Sequence, residues 1–328
     1  MLSVVRGAPR KEDKNMTILR RFAVLQCLLV LGLTPAAFTQ TVQLFQPFNG
    51  LNSCAVGISA NGDIAGWYQE IISQGPPMVV KQHSYLLSKG QLTSFDPPDP
   101  TLVGSLAARI NPRGDIVGWW WTATPSKNTG YLRSKGVFTN ISFPGATHTQ
   151  AAGINANGDI VGFYTIVSPP NPNFARGFIL PRGGDCQTIE LPVPGLTASN
   201  AWGINSRGDI VGAYGDPTGS HGFLKKSSGE FITLDPEDKA ITGGWTRPIG
   251  INSEGEVSGD YLAQVGAGTK TRGFLWKDGV FTTYEVPDTT YTGSREINPS
   301  GWVVGCVGVT NPAPPPAVRN WSFIRSPR

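Results

Sequence analysis

The chain has 328 residues, of which 39% are hydrophobic and only 15% are charged. Its 41 glycines and 27 prolines favour many turns and short strands over long helices, and its apolar content excludes an intrinsically disordered chain. Of the 27 basic and 23 acidic residues, six and two lie within residues 1–39, which leaves 21 of each in the remainder. A remainder without net charge has no electrostatic footprint for nucleic acid, so we expect no nucleic-acid partner.

Residues 1–39 are predicted to be a signal peptide. Two arginines precede an apolar run over residues 22–33, which is too short for a membrane span of about 20 residues. Small residues at positions 37 and 39 fit cleavage after Thr39, and Met16 is the candidate for the true start. We therefore expect a secreted, extracellular or periplasmic protein with no membrane span after signal removal, acting as a monomer.

The remainder, residues 41–326, is predicted to be a single domain built from six copies of one phrase. The clearest copy is GINSRGDIVGAY at residues 203–214, and equivalent positions of consecutive copies lie 44 to 52 residues apart. The six copies begin at Gly57, Arg109, Gly153, Gly203, Gly250 and Glu296. A fixed period of this length indicates a repeat architecture.

Each copy opens a unit of four short strands. In the fourth, the apolar runs at 201–205 and 210–214 flank the turn Ser206–Asp209 and are typical of a tight hairpin. HGFL at 221–224 and FITL at 231–234 supply two more strands, and Gly229 lies in the turn between them. Four strands in about 45–50 residues predict a propeller blade. We therefore predict an all-β, six-bladed β-propeller of four-stranded antiparallel blades that start near residues 55, 107, 151, 201, 248 and 294.

The two ends of the chain predict closure of the ring. The last copy stops after its third strand at Trp321–Ile324, whereas the strand-like segment VQLF at Val42–Phe45 precedes the first copy. We predict that this N-terminal strand completes the last blade, because closure removes the unpaired edges of an open sheet. An open β-solenoid is the alternative.

Two charged residues interrupt the first strand, which should lie next to the ring axis. Four copies carry glycine at this crowded position, whereas the second carries Arg109 and the sixth carries Glu296. We predict that Arg109 and Glu296 pair across the axis as channel residues, with ligand contact as the alternative. Glycines that recur in the second strand, at residues 66, 118, 162, 212, 259 and 305, are interpreted as packing or bulge positions.

No metal or cofactor site is predicted. The aspartates of the Gly-Asp turns lie one per blade, which does not supply the clustered oxygens that calcium requires. Cys27 falls in the signal run, and Cys54, Cys186 and Cys306 match no metal or redox spacing. An odd number of cysteines leaves at least one thiol unpaired in an exported protein.

One face of the ring is expected to carry the ligand. Loops between strands one and two and between three and four are tight, whereas the other connections are long, and long loops on a rigid scaffold concentrate binding. The predicted long loops are 69–82, 122–129, 165–175 and 262–271, together with 96–106, 144–150, 192–200, 235–246 and 287–293. Trp121, Trp202 and Trp245 do not recur between copies and, with His148, are the candidate ligand-binding residues.

Catalysis has little support in the sequence, so no catalytic residue is predicted. His83 and His221 precede equivalent third strands in which other copies carry arginine, so a polar residue suits that position. Motifs of serine hydrolases, zinc proteases and P-loop enzymes do not occur. Paired carboxylates for glycoside cleavage cannot be recognised from sequence, because their separation is three-dimensional.

The order GIN-x-x-GDIVG-x-Y, HGFL and F-x-x-x-D-x-P resembles the HAF-repeat family of probable extracellular bacterial proteins. The resemblance covers residues 42–323, and the His-Ala-Phe third strand that names the family is approached most closely at His83–Tyr85 and His221–Phe223. It implies export and a repeat fold but no established activity, so no functional residue is carried over from it.

Three functions remain open at the level of the sequence. The first is a secreted, non-enzymatic binding module or scaffold that holds a glycan, peptide or cell-surface partner on its long-loop face. The second is an exported propeller hydrolase or lyase with acidic residues near the channel mouth. The third is a structural component of the cell envelope.

Overall fold

The computed structural model describes residues 41–49, 51–75, 78–123, 125–168, 171–311 and 317–327. The predicted signal peptide and Met16 lie outside these residues. The described chain is all-β apart from one 3₁₀ turn at Pro47–Asn49. Within this part of the chain, no helix is long and apolar enough to cross a membrane.

The strands follow the six sequence repeats closely. In chain order they are β1 (Val42–Phe45), β2 (Ser53–Ile58), β3 (Ile64–Ser73), β4 (Val79–Ser88), β5 (Gln91–Phe95), β6 (Leu102–Ile110), β7 (Ile116–Ala123), β8 (Ser126–Ser134), β9 (Val137–Ile141), β10 (His148–Ile154), β11 (Ile160–Ser168), β12 (Asn171–Leu180), β13 (Gln187–Thr188), β14 (Ala198–Ile204), β15 (Ile210–Asp216), β16 (Gly219–Lys225), β17 (Phe231–Leu234), β18 (Thr246–Ile251), β19 (Val257–Val265), β20 (Gly268–Lys277), β21 (Val280–Tyr284), β22 (Thr292–Ile297), β23 (Val303–Asn311) and β24 (Ala317–Arg325).

The strands form a propeller-like fold with four separate four-stranded blades, made by the third to sixth repeats. The prediction of six separate blades is not matched, because the first and second repeats share one eight-stranded sheet. The two halves of that sheet join at a single parallel pair, Gln82 with Gly104. Gln82 Nε2 also donates to the Ser105 carbonyl, and the Ser84 and Ser105 hydroxyls lie 2.6 Å apart. These contacts hold β4 against β6.

The ring closes as the sequence predicts. Strand β1 pairs antiparallel with β24, from Val42 opposite Arg325 to Phe45 opposite Ser322, so the N-terminal strand completes the last repeat. The first strands β2, β6, β10, β14, β18 and β22 contact one another in cyclic order. A disulfide between Cys54 of β2 and Cys306 of β23 adds a covalent link across the closing junction. Among the described cysteines, Cys186 is free.

The connections between second and third strands differ from prediction. The segments expected as long irregular loops at 69–82, 122–129, 165–175 and 262–271 are mostly strand, and the two strands continue past the ring as extended hairpins. In the fifth repeat, for example, Val265 pairs with Gly268 across a two-residue turn. The Gly and Pro residues of these segments, such as Gly75 and Pro125, hid their pairing, because both residue types are depleted in strands. The connection from fourth to first strand remains irregular, as at residues 235–245.

The recurring glycine of the second strand is required by close packing, as predicted. In the fourth repeat, a Cβ at Gly212 would overlap the Asn200 carbonyl and lie 2.7 Å from the Phe223 ring. The third strand places a fully buried ring on this glycine in every repeat. These six rings belong to Tyr85, Tyr131, Phe178, Phe223, Phe274 and Phe323.

The asparagine of the GIN phrase ties each repeat to the next. Asn205 Oδ1 accepts from the backbone N–H groups of Arg207 and Asp209, and its Nδ2 donates to the Asp209 carboxylate. The same Nδ2 donates to the Asn252 carbonyl of the following repeat, at 3.2 Å. Equivalent links run Asn111 to Asn155, Asn155 to Asn205, Asn252 to Asn298 and Asn298 to Ser59.

Serine replaces this asparagine in the first repeat, and one link of the ring changes with it. Ser59 Oγ still accepts from the backbone N–H groups of Asn61 and Asp63. A hydroxyl is too short to reach the next repeat, so the first repeat lacks the buried link and keeps the exposed one, in which Asn61 Nδ2 donates to the Pro112 carbonyl at 3.0 Å. The third repeat has both links, since Asn157 Nδ2 donates to the Ser206 carbonyl beside the Asn155–Asn205 bond.

Substituting the packed glycine tests the role of the second strand. Gly212→Ala should lower the free energy of unfolding by about 3 kcal/mol or more, because the added methyl overlaps backbone and a buried ring. Gly75→Ala is the matched control, since its Cβ would meet only the Ser73 hydroxyl at 3.7 Å. Urea denaturation followed by tryptophan fluorescence measures both, and an equal effect of the two substitutions would contradict this packing argument.

Exchanging asparagine and serine at this turn tests the buried links between neighbouring repeats. Asn205→Ser should keep the local turn but remove the Asn205 amide as a donor to the buried Asn252 carbonyl, which then keeps only the Gly255 N–H, at a cost of about 0.5–1.5 kcal/mol. Ser59→Asn should be neutral or stabilising, because it supplies the missing amide. Chemical denaturation of both variants is the measurement, and a neutral Asn205→Ser would show that the link does not stabilise the ring.

Candidate ligand-binding site at the axis

Each first strand carries a β-bulge three residues before the asparagine or serine that forms the turn to the second strand. The pairing with the second strand skips one residue in all six repeats, and a bulge re-aims the side chain that is left out of the ladder. All six skipped residues line one cavity of about 230 Å³. They are Val56, Ala108, Ala152, Trp202, Ile249 and Arg295.

Cross-strand neighbours of the bulges complete the cavity wall. Trp67 and Trp119 from the second strands of the first two repeats join Trp202 in lining it. Phe163 packs edge-on against Trp202 with ring centroids 4.7 Å apart, and against Trp119 at 6.5 Å. This side of the cavity is therefore an apolar, aromatic wall. Cys54 and Cys306 also line the cavity, so the disulfide fixes the wall between the first and last repeats.

The fifth and sixth repeats supply charge to the same cavity. Asp260 is 1% exposed and receives Arg247 through Nε at 2.9 Å and Nη2 at 3.0 Å. Arg295 donates to the same carboxylate through Nη1 at 3.0 Å. Burial lowers the pKa of the Arg295 guanidinium, and Asp260 opposes that shift. Two guanidinium groups thus share one buried carboxylate.

Arg109 and Glu296, the two predicted channel residues, form an ion pair between the second and sixth repeats. Arg109 Nε contacts the Glu296 carboxylate, and both side chains are buried. The Arg109 guanidinium also donates to the carbonyls of Val56 at 2.7 Å and Ile249 at 2.6 Å, which belong to bulges of the first and fifth repeats. Burial raises the pKa of Glu296, and the neighbouring Arg109 opposes the rise. Arg109 also lines the axial cavity.

A second, larger groove of about 500 Å³ adjoins the axial cavity and shares Trp202 and Arg247 with it. Its wall is the connection from fourth to first strand between the fourth and fifth repeats, residues 239–245, which ends at Trp245. The Arg247 guanidinium lies over the Trp245 ring, 4.2 Å from its centroid. In the described structure, Asn200 Oδ1 and Trp202 Nε1 are buried without a hydrogen-bond partner.

The four predicted ligand-binding residues separate into two groups. Trp202 and Trp245 line the groove, and Trp202 also lines the axial cavity. Trp121 lies in β7 with its indole packed over Gly104, outside both cavities. His148 begins β10, and its Nδ1 accepts from the Asn128 backbone N–H at 3.1 Å. Trp121 and His148 therefore do not join the other two.

Sequence reasoning missed the cavity position itself. The residue before the Gly, Arg or Glu of each phrase is Val, Ala, Ala, Trp, Ile or Arg, between neighbours that repeat. A position that varies within a repeated frame was a usable signal. This variation singles out Trp202 within the first strand, and it adds Arg295 beside Glu296.

Histidines of the third strand join neighbouring repeats. His221 Nδ1 lies 2.5 Å from Asp235 Oδ2, and Thr246 of the next repeat donates to Oδ1 of the same carboxylate at 2.7 Å. Burial opposes ionisation, but bonds from Lys239, Thr246 and His221 lower the pKa of Asp235 overall. The fully buried Thr246 hydroxyl bonds to the acid and not to the imidazole, so this set is not a nucleophile–base pair.

The comparisons with known proteins support the fold class. No protein-family model matches the chain, and no curated protein resembles it in sequence. TolB from Acinetobacter baumannii has a TM-score of 0.50 at 10% identity, over 80% of this chain and 63% of that one. Virginiamycin B lyase from Staphylococcus aureus gives 0.46 at 13% identity, over 88% and 98%, and a family PL25 ulvan lyase gives 0.40 at 14% identity, over 85% and 84%. At 10% identity the TolB match supports the fold alone and says nothing about activity.

A double-mutant cycle tests the axial ion pair. Glu296→Gly, which introduces the residue of four other repeats, should cost about 3–5 kcal/mol, because it leaves the buried Arg109 charge without its carboxylate. Combining it with Arg109→Gly should cost clearly less than the sum of the two single changes. Urea denaturation of the four proteins gives the coupling energy, and additive losses would mean that the two charges do not interact.

Proposed function

We propose that this protein is an exported, non-enzymatic binding module whose ligand occupies the axial cavity and the adjoining groove. The proposal rests on a contrast between the structural positions of the repeat, which keep their residue types, and the positions that line the cavity. Packed glycines and buried aromatic rings repeat in every unit, whereas the six bulge residues that line the cavity are of five types, from Ala108 and Ala152 to Trp202 and Arg295. Structural positions in a repeat protein converge on one residue type, so this variety at the cavity positions favours a specific ligand.

We further propose that the ring contains six blades, with the eight-stranded sheet counted as two. Its two halves each have the four antiparallel strands of the other repeats, and a single parallel residue pair connects them. On this interpretation the cavity is enclosed by six equivalent bulges, and each blade contributes one.

Export is supported by the disulfide as well as by the N-terminal sequence. Disulfides persist in oxidising compartments, and this one joins residues 252 positions apart at the closing junction of the ring. Secretion to the exterior or to the periplasm agrees equally with it. The resemblance to the HAF-repeat family of probable extracellular proteins favours the same interpretation.

The carboxylates near the axis favour binding over hydrolysis or lyase chemistry. Asp260 is held by two arginines and Glu296 by a third, so neither is placed as a free acid or base. His148 is engaged by the Asn128 backbone and lies outside both cavities. A purely structural envelope component, the remaining alternative, has no need of a groove with aromatic and charged walls.

An array of glycans and peptides, probed with the chain from residue 40 onward, tests the binding function. We expect a discrete set of ligands, and Trp202→Ala or Trp245→Ala should reduce their binding at least about tenfold, because each removes an aromatic contact surface. Trp121→Ala is the matched control and should bind normally. Loss of binding in the control alone, or no ligand for the wild-type protein, would overturn the proposal.

A further inference from the structure

The geometry points to an acidic sugar as the ligand of the axial cavity. We infer that its carboxylate lies against Arg247 and Arg295 and that its ring lies against the indole of Trp202. This inference rests on the proposed binding function and adds the chemical class of the ligand.

The charged side chains around the cavity carry one positive charge in excess. Arg109 is neutralised by Glu296, whereas Arg247 and Arg295 share Asp260 between them. Lys239 in the adjoining groove is already paired with Asp235 at 2.8 Å. Two guanidinium groups facing one carboxylate leave a single positive charge, and a ligand carboxylate would balance it. Guanidinium groups recognise carboxylates with strong, charge-assisted hydrogen bonds.

The Arg247 guanidinium is fixed in place and has a donor nitrogen available for such a ligand. Its bonds to Asp260 use Nε and Nη2, and its guanidinium plane lies over the Trp245 ring. In the described structure, the other terminal nitrogen, Nη1, makes no hydrogen bond. The side chain remains 39% exposed and lines both the cavity and the groove. A fixed guanidinium with a free donor binds an anion at little entropic cost.

The other lining groups favour a sugar ring over a plain aromatic or aliphatic acid. Trp202 supplies an aromatic surface, and its Nε1 is a donor without a partner. Asn200 Oδ1, in the adjoining groove, is an acceptor without a partner. Both atoms are buried, so a ligand reaches them only after a rotation of the Asn200 and Trp202 side chains. Hydroxyl groups donate and accept, so a polyhydroxylated ring could then satisfy both atoms, whereas a benzoate or a fatty acid has no group that donates to Asn200 Oδ1.

The dimensions suit one ring within a longer chain. A cavity of about 230 Å³ lies below the roughly 300–1,000 Å³ of sites for drug-sized ligands, which fits a single sugar residue. The adjoining groove of about 500 Å³ continues from Trp202 and Arg247 along the fourth-to-fifth connection. Neighbouring residues of a glycan would extend into this groove.

A matched pair of glycans tests the inference. Titration calorimetry would compare an oligosaccharide of glucuronic acid with the same oligosaccharide after its carboxyl groups have been reduced to hydroxymethyl groups. We expect the acidic form to bind the wild-type protein at least about tenfold more tightly, since charged hydrogen bonds are worth more than neutral ones. Arg247→Gln should abolish that preference. Arg182→Gln, which changes an exposed arginine on the tight-turn face, should retain it.

The outcomes separate this inference from the function on which it rests. Tight binding of neutral glycans that depends on Trp202, with no preference for the acid and no effect of Arg247→Gln, would overturn the acidic ligand and keep the binding function. Binding of benzoate as tight as that of the uronate would overturn the sugar. Failure of all glycans and peptides on the array would overturn both proposals. A thermal melt of each variant excludes misfolding as the cause.

Discussion

The structure depends on one hydrogen-bonded residue, the asparagine that ends the first strand of five repeats. Its Oδ1 closes the hinge of its own repeat, and its Nδ2 reaches the backbone of the next. A single buried side chain therefore fixes both the turn and the angle between neighbouring sheets. The asparagine lies beside the axis, where the first strands approach one another closely. At the crowded position two residues before it, four repeats carry glycine, and Arg109 and Glu296 fill the axis together in the other two.

The bulges of the first strands have a consequence for function. Each first strand leaves one residue out of its pairing with the second strand, three residues before the asparagine or serine. The six omitted residues surround a common cavity. These bulges thus create a place beside the axis where side chains from all six repeats can contact the same molecule. Within each repeat, therefore, some positions stabilise the ring and the bulge position faces the ligand.

Much of this organisation could be predicted from the sequence, because it recurs. Strand order, the hinge, the glycine packing and completion of the last repeat by β1 follow from comparing copies within the chain. The Arg109–Glu296 pair followed from two departures at one crowded position. The shared sheet of the first two repeats could not be predicted in this way, because it depends on the early start of β6 beside β4.

Cavity membership was harder to predict, since it depends on the bulge and on ring closure. Trp121 and Trp202 look alike in sequence, as tryptophans that do not recur, yet one packs on Gly104 while the other reaches the axis. The pairing of Cys54 with Cys306 was likewise hidden by a separation of 252 residues. Asp260 resembles a surface residue after a recurring glycine, and only the arrangement of Arg247 and Arg295 shows that it organises a cationic wall.

We propose that the ligand binds at the ring axis, among the bulge side chains of the six repeats. A crystal structure of the protein grown with its tightest-binding glycan tests this most directly. We expect ligand density in the axial cavity, with a carboxylate within hydrogen-bonding distance of Arg247 and a ring against Trp202. An empty cavity, with the glycan bound on the outer strands or on the tight-turn face, would contradict it.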